Sequence, residues 1–341
     1  MSRAIRYFVY AVMILALTLG SLAMAPAAQT PAAQASQKYF VVQFAGPVEQ
    51  AWKDAVSAAG GEILAYIPDF AFKVRMNPAI ADSVGQLGFV SAVTPFPSQL
   101  KFGADLKRDG EMNLYQIRVE RGADYGLVRS LVARTGAEIL GYDGEIMIVA
   151  ANSSLLDAIA EVDDVASINN YRLNQTFSTT SAPPRNDSAR DIIGATIANN
   201  RGYDGSSQVA AVSDTGLGGG TAANAHSGIP SSRVVSIFNW PGVKGGCFSS
   251  VSDDGAVDVD SGHGTHTASS VLNGGGAGGI GRGVAPAARL VFQATENWAT
   301  TSSYCQLFGG YPASGYFLIG LPSDLKTMYQ QAYNAAPQEL E

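Results

Sequence analysis

The chain has 341 residues, of which 46% are hydrophobic and 15% charged, with 38 glycines and a formal net charge of −7. That balance suits two or three compact domains with many turns and argues against a disordered chain. The acidic charge, with no Lys or Arg run to oppose it, excludes a phosphate-binding surface, so no nucleic-acid partner is expected.

Residues 1–35 read as a leader outside the fold. Arg3 and Arg6 form a positive start, Tyr7 to Leu19 an apolar run, and small residues with Ala-x-Ala spacing follow at Ala23 to Ala25 and Ala33 to Ala35. This is the pattern of a cleaved secretory signal peptide. Pro26 disfavours a cut directly after Ala25, which leaves a site nearer Ala28 or Ala35. The competing reading is an uncleaved anchor, against which the apolar run is short of the roughly 20 residues that a span requires. The expected location is secreted and extracellular, with no membrane contact after signal cleavage.

Two similar stretches follow, residues 36–100 and 111–173. Ala59-Gly60-Gly61-Glu62-Ile63-Leu64-Ala65-Tyr66 recurs as Thr135-Gly136-Ala137-Glu138-Ile139-Leu140-Gly141-Tyr142. Tyr39 to Phe44 and Tyr115 to Glu120 predict strands, each followed by a helical stretch, Val48 to Ala58 and Tyr125 to Ala133. Asn77 with Asp82, and Asn152 with Asp157, open paired second helices. Each repeat therefore predicts β-α-β-β-α-β, a ferredoxin-like α+β unit with helices on one face of an antiparallel sheet.

Residues 174–186, rich in Ser, Thr and Pro, read as a linker open to processing. From 187 to 341 the pattern alternates. Asp191 to Ala198 predicts a helix, Gln208 to Ser213 a buried strand ending at Asp214, and Val234 to Asn239 a second strand. Thr265 to Leu272 predicts a helix just after His263, Leu290 to Ala294 a further buried strand, and Ser323 to Ala335 an amphipathic helix with Ser323 as its N-cap. The sum is a doubly wound α/β parallel sheet, whose functional residues sit at strand ends and helix starts.

Within that segment lie the residues that carry chemistry. Val212-Ser213-Asp214-Thr215-Gly216 ends a strand, and Ser261-Gly262-His263-Gly264-Thr265-His266-Thr267-Ala268 opens a helix. A general base needs an imidazole whose second nitrogen is oriented by a carboxylate, which makes Asp214 and His263 the candidate catalytic pair. His263 and His266 would also suit a metal, but no Glu or Cys follows at a zinc spacing. His226, in a Gly- and Ala-rich stretch, reads as a surface-loop residue.

Three segments together carry a family resemblance: Gln208-Val209-Ala210-Ala211-Val212-Ser213-Asp214-Thr215-Gly216, Gly262-His263-Gly264-Thr265-His266-Thr267-Ala268, and Gly283-Val284-Ala285-Pro286-Ala287-Ala288-Arg289-Leu290. They resemble successive motifs of the subtilisin-like serine proteases (subtilases, peptidase family S8), most nearly the larger secreted ones of bacteria. The resemblance covers nearly all of the chain after the leader. It implies that Asp214 is the triad carboxylate, His263 the general base and His266 a structural residue. It implies that the two repeats are the family's propeptide, doubled, which docks on two surface helices of the catalytic domain and lowers a slow folding barrier. The implied partners are a protein or peptide substrate and this intramolecular propeptide, the chain is expected to be a monomer, and the chemistry requires no cofactor. The rival reading of the repeats is a pair of permanent partner-binding domains.

After His263 no Gly-Thr-Ser-Met-Ala-like turn presents a nucleophile. Ser302, Ser303, Ser314 and Ser323 read as loop or cap residues, and Asn297 follows the wrong strand for the family's oxyanion-hole Asn. The expectation is the amino-terminal part of a secreted serine endopeptidase precursor, its catalytic domain incomplete and inactive by itself. The alternative is a non-catalytic propeptide-like inhibitor or folding chaperone of a separate protease. Asp253, Asp254, Asp258 and Asp260 are either structural calcium ligands or solvated loop charge, and they lack the Asp-x-Asp-x-Asp-Gly pattern of a strong calcium loop. Asp260 is also a candidate for positioning the loop before His263. Cys247 and Cys305, in an exported chain, predict a bridge between two loops, with two free buried thiols as the alternative.

Overall fold

A computed structural model of the chain describes residues 38–174, 176, 186–276 and 280–336. The expected leader, most of the linker and the tail after Ala336 lie outside the described residues. The chain divides into two compact units, one ending at Phe96 and the other running from Pro97 to Glu341. Among the described residues no helix is long and apolar enough to cross a membrane.

The first unit runs β1 (Tyr39–Phe44), α1 (Gln50–Ala58), β2 (Glu62–Ile67), β3 (Ala71–Arg75), α2 (Pro78–Gly85) and β4 (Val90–Pro95). Its sheet has the order β2-β3-β1-β4, and β1 pairs antiparallel with both β3 and β4. Alternation along β1 sends Phe40, Val42 and Phe44 to one face, where they meet Val56 of α1 and Val84 of α2. Fully burying side chains of this size contributes about 1.5–3 kcal/mol each. Trp52 of α1 stacks on Phe89, centroids 5.2 Å apart. Asn77 caps α2 by accepting from Ile80 N at 2.9 Å, which answers one of the helix's unpaired N–H groups.

The second unit opens with the same connectivity: β5 (Met112–Val119), α3 (Tyr125–Arg134), β6 (Glu138–Asp143), β7 (Ile146–Asn152), α4 (Leu156–Ala160) and β8 (Val165–Asn170), with sheet order β6-β7-β5-β8. A short 3-10 turn, Ser98–Lys101, belongs to this unit rather than to the first. Lys101 Nζ donates to Ala160 O at 2.7 Å and to Val162 O at 2.9 Å, placing a cation on the C-terminal end of α4.

The rest of the second unit holds two further sheets. β9 (Val209–Asp214), β10 (Val234–Asn239) and β12 (Arg289–Ala294) form a parallel sheet of order β10-β12-β9. Leu290, Phe292 and Ala294 of β12 share a core with Ala268 and Leu272 of α7 (His263–Leu272). On the opposite face Gln293 Nε2 donates to Met328 O of α9 (Lys326–Ala335) at 2.9 Å. Helices therefore cover both faces of β12. The predicted single helix at 191–198 is instead two, α5 (Asn186–Ile192) and α6 (Ala195–Asn200), separated at Gly194, which has φ 73°. Ser323 is not the N-cap of α9: its backbone N and Oγ both donate to Asp143 of the second repeat. The helix starts later, after Leu325.

The other sheet was not foreseen. β11 (Phe248–Ser252), β13 (Asn297–Thr301) and β14 (Ser314–Phe317) pair antiparallel in the order β11-β13-β14. A disulfide joins Cys247, just before β11, to Cys305, with Cα atoms 5.5 Å apart. Cys305 lies in a helix, α8 (Ser303–Gly309), capped by Ser302, rather than in a loop. Both cysteines sit in a core with Ala299 and Phe317, and with Leu114 and Ala150 from the outer face of the second repeat's sheet. The second repeat thus meets the following segment through its sheet and this disulfide-bearing layer. Tyr171 and Leu173, which follow β8, pack there too, and Leu318 N donates to Asn174 O at 3.0 Å.

Candidate active site

β9 delivers Asp214 to the carboxyl end of the parallel sheet, in register with Ala294 of β12. Its backbone is held there by Thr295, whose N and Oγ1 donate to Asp214 O at 2.9 and 3.0 Å. α7 begins at His263 because Gly262, in the left-handed region with φ 69°, turns the chain into the helix. Gly264 permits the helix start to lie against the strand end, since a Cβ there would meet Gly216 O at 2.3 Å. Arg233 anchors the other end of α7, donating to Leu272 O at 2.7 Å.

These constraints bring the two candidate residues together: His263 Nδ1 lies 2.7 Å from Asp214 Oδ1. Thr215 N donates to the same carboxylate oxygen at 2.7 Å. The Asp214 side chain is 11% exposed and that of His263 is 47% exposed. The carboxylate is shielded while the imidazole edge remains open. A carboxylate on Nδ1 favours the Nδ1–H tautomer and leaves Nε2 as the basic nitrogen. Among the described residues no serine hydroxyl is hydrogen-bonded to this ring.

In the sequence Asp258 is one of four similar loop acids, yet it ties the site together. Thr215 Oγ1 donates to its Oδ1 at 2.8 Å, and Thr265 N donates to its Oδ2 at 2.8 Å. Thr215 Oγ1 in turn accepts from Gly264 N at 2.8 Å, and Thr265 Oγ1 accepts from Gly218 N at 2.8 Å. The expected positioning role of Asp260 therefore falls to Asp258; Asp260 is exposed and makes no hydrogen bond among the described residues. A signal was present in the sequence: a threonine follows each candidate catalytic residue closely, at 215 and at 265. Neither threonine names its acceptor without the fold.

The remaining candidates separate. His266 is exposed on α7 without a side-chain hydrogen bond among the described residues, so the implied structural role is not what this geometry gives it. His226 is an exposed loop residue whose Nδ1 accepts from Gly228 N at 3.1 Å. Asp253 accepts from Asn239 Nδ2 at 2.7 Å. Among the described residues no three His, Cys, Asp or Glu side chains converge as metal ligands do. Asn297 is buried, with Nδ2 directed to Trp240 O.

A further carboxyl lies beside the pair, and no local sequence pattern marks it. Glu296 follows β12, and its N donates to Thr215 O at 3.2 Å. Burial, reinforced by Asp260, Asp258, Asp254 and Asp214, pushes its pKa up to about 7. Burial also raises that of Asp254, with Asp253 adding to the effect.

Residues 16–97 match the family model described as a domain of unknown function (DUF8729). No curated protein matches the chain. The chain is similar to the solved structure of an S393A mutant of the epidermin leader peptide processing serine protease (EpiP) from Staphylococcus aureus, at 15% identity and a TM-score of 0.34, covering 54% of this chain and 44% of that one. It is also similar to fervidolysin from Fervidobacterium pennivorans, a keratinolytic enzyme related to subtilisin, at 17% identity and a TM-score of 0.33, covering 57% of this chain and 31% of that one. The chain thus spans less than half the length of either.

Proposed function

We propose that this chain carries the carboxylate and the general base of a subtilisin-like serine endopeptidase, as part of a secreted precursor. The observation that carries the reading is the 2.7 Å contact between Asp214 Oδ1 and His263 Nδ1 at the meeting of a parallel strand and a helix start. In this reading His263 Nε2 takes the proton of a serine hydroxyl as that oxygen attacks the peptide carbonyl. Asp214 stabilises the imidazolium, and the proton passes to the leaving amine as the acyl-enzyme forms. Water then hydrolyses the acyl-enzyme with the same base. The chemistry needs no cofactor.

The two β-α-β-β-α-β units are the ferredoxin-like propeptide in this proposal. The 341 residues contain no Gly-Thr-Ser turn, so hydrolysis is not expected of them alone. The test is to sequence the locus past the codon for Glu341 and assay the protein of any continuing frame on a fluorogenic peptide. Hydrolysis abolished by His263→Ala supports the reading. A frame that closes without a nucleophile leaves the second reading, a propeptide-like inhibitor or chaperone of a separate protease.

A further inference from the structure

Glu296 is 4% exposed, yet its Oε1 has no hydrogen-bond partner among the described residues. Four acids act on it: Asp260 and Asp258 from the loop before α7, Asp254 from the stretch after β11, and Asp214 at the end of β9. Asp254 Oδ1 is a second buried oxygen without a partner. Buried carboxyl oxygens left without donors are costly.

Two residues beyond Glu296, β13 turns Trp298 outward, 42% exposed. Trp298 is in register with Ser252 of β11 and with Tyr316 of β14. The Trp298 and Tyr316 rings meet edge to face, with centroids 5.1 Å apart. The register sets this pair across from Ser252, two residues before Asp254, and burial together with Asp254, Asp260 and Glu296 raises the Tyr316 pKa. Such a pair offers a π face to a cation arriving from solvent.

We propose that Glu296, Asp254 and Asp260, walled by Trp298 and Tyr316, form a subsite for the cationic side chain of a Lys or Arg in the peptide substrate. The inference rests on the protease reading and adds to it a preference for basic residues near the cleaved bond. A metal ion needs several ligands converging on one point, which the described residues do not provide. A long flexible side chain does not need that: its stem lies along the aromatic wall and its charged head is shared among separated carboxylates. Asp258 takes no part, since both of its oxygens already accept hydrogen bonds from Thr215 and Thr265.

The test is calorimetric titration of the full chain, at pH 8 and low salt with EDTA present, using two blocked peptides that differ only in arginine against citrulline. The arginine peptide should bind about tenfold or more tightly, and Glu296→Gln should bring the ratio toward one. Asp260→Asn should lower it too; Asp260 is exposed and has no hydrogen bond among the described residues, so this variant keeps the test intact if Glu296→Gln fails to fold. Equal affinity for the two peptides, or no binding of either, overturns the proposal. So does calcium that binds this cluster and displaces the peptide. Because the preference does not depend on His263, an arginine preference in this chain, with no peptide hydrolysis by the protein of a continuing frame, would count against the protease reading alone.

Discussion

Asp258 accepts the Thr215 hydroxyl at 2.8 Å, and with its other oxygen it holds Thr265 N at the same distance. One carboxylate thereby spans the strand end that carries Asp214 and the helix start that carries His263. Asp258→Ala should leave the Thr215 hydroxyl and Thr265 N without their shared acceptor. The cost is about 1–3 kcal/mol for each buried group left unpaired, read as a lowered midpoint in urea. The low-field Nδ1–H proton resonance of His263 should also broaden or vanish, because the imidazole is no longer held on Asp214. An unchanged resonance in a folded variant would show that Asp258 does not position the pair.

Asp214→Asn keeps the shape of the contact but removes its charge and the tautomer preference. In the protein of a continuing frame, peptide hydrolysis should fall by about 10⁴-fold, the size of the loss for the equivalent change in a chymotrypsin-type triad. Stability should change little. Activity within tenfold of the parent would remove Asp214 from the proposed role.

The bridge between Cys247 and Cys305 closes a separation of 58 residues. In the chain-entropy account a loop of that size contributes about 4 kcal/mol through the unfolded state. Cys247→Ser with Cys305→Ser should therefore lower the unfolding midpoint markedly, and thiol counting on the parent protein should find none free. Two reactive thiols after denaturation without reductant would contradict the pairing.

Glu296 makes stability depend on pH in a stated direction. Its folded-state pKa, about 7, lies above the ordinary value of 4.5, so the folded state holds the proton more tightly. The resulting stabilisation is fully present below about pH 4.5 and is lost as pH rises through 7. Glu296→Gln should flatten that part of the stability profile between pH 5 and pH 8, measured by denaturant titration at each pH. A slope unaltered by the substitution would assign it to other groups.

The shared core around the disulfide affects where the chain can be cut. Leu114 and Ala150 of the second repeat are buried with Cys247, Ala299, Cys305 and Phe317. Residues 97–341 should unfold as one cooperative transition by circular dichroism. Separating them near residue 180 should expose that apolar layer and cause aggregation of the downstream piece. Residues 38–96, whose core of Phe40, Val42, Phe44, Val56, Val74 and Val84 is internal, should fold alone.

Local pattern in the sequence was enough to place most elements. The strand at 39–44, the parallel strands ending at Asp214, Asn239 and Ala294, the helix cap at Asn77 and the cap that Asn152 gives the 3-10 turn before α4 all follow from apolar periodicity and side-chain capping, which act over a few residues. The motifs around Asp214 and His263 likewise selected the candidate pair. What only the tertiary structure decided are the contacts between distant segments. The β11-β13-β14 sheet was missed because its strands are short, mixed in polarity and paired across the separation from Phe248 to Thr301. The role of Asp258 was hidden because four acids in one loop look alike until the fold brings Thr215 and Thr265 to one of them. Glu296 likewise gave no local signal, since its burial and its acidic neighbours come from three separate stretches of chain that meet only when the parallel sheet is closed by α7.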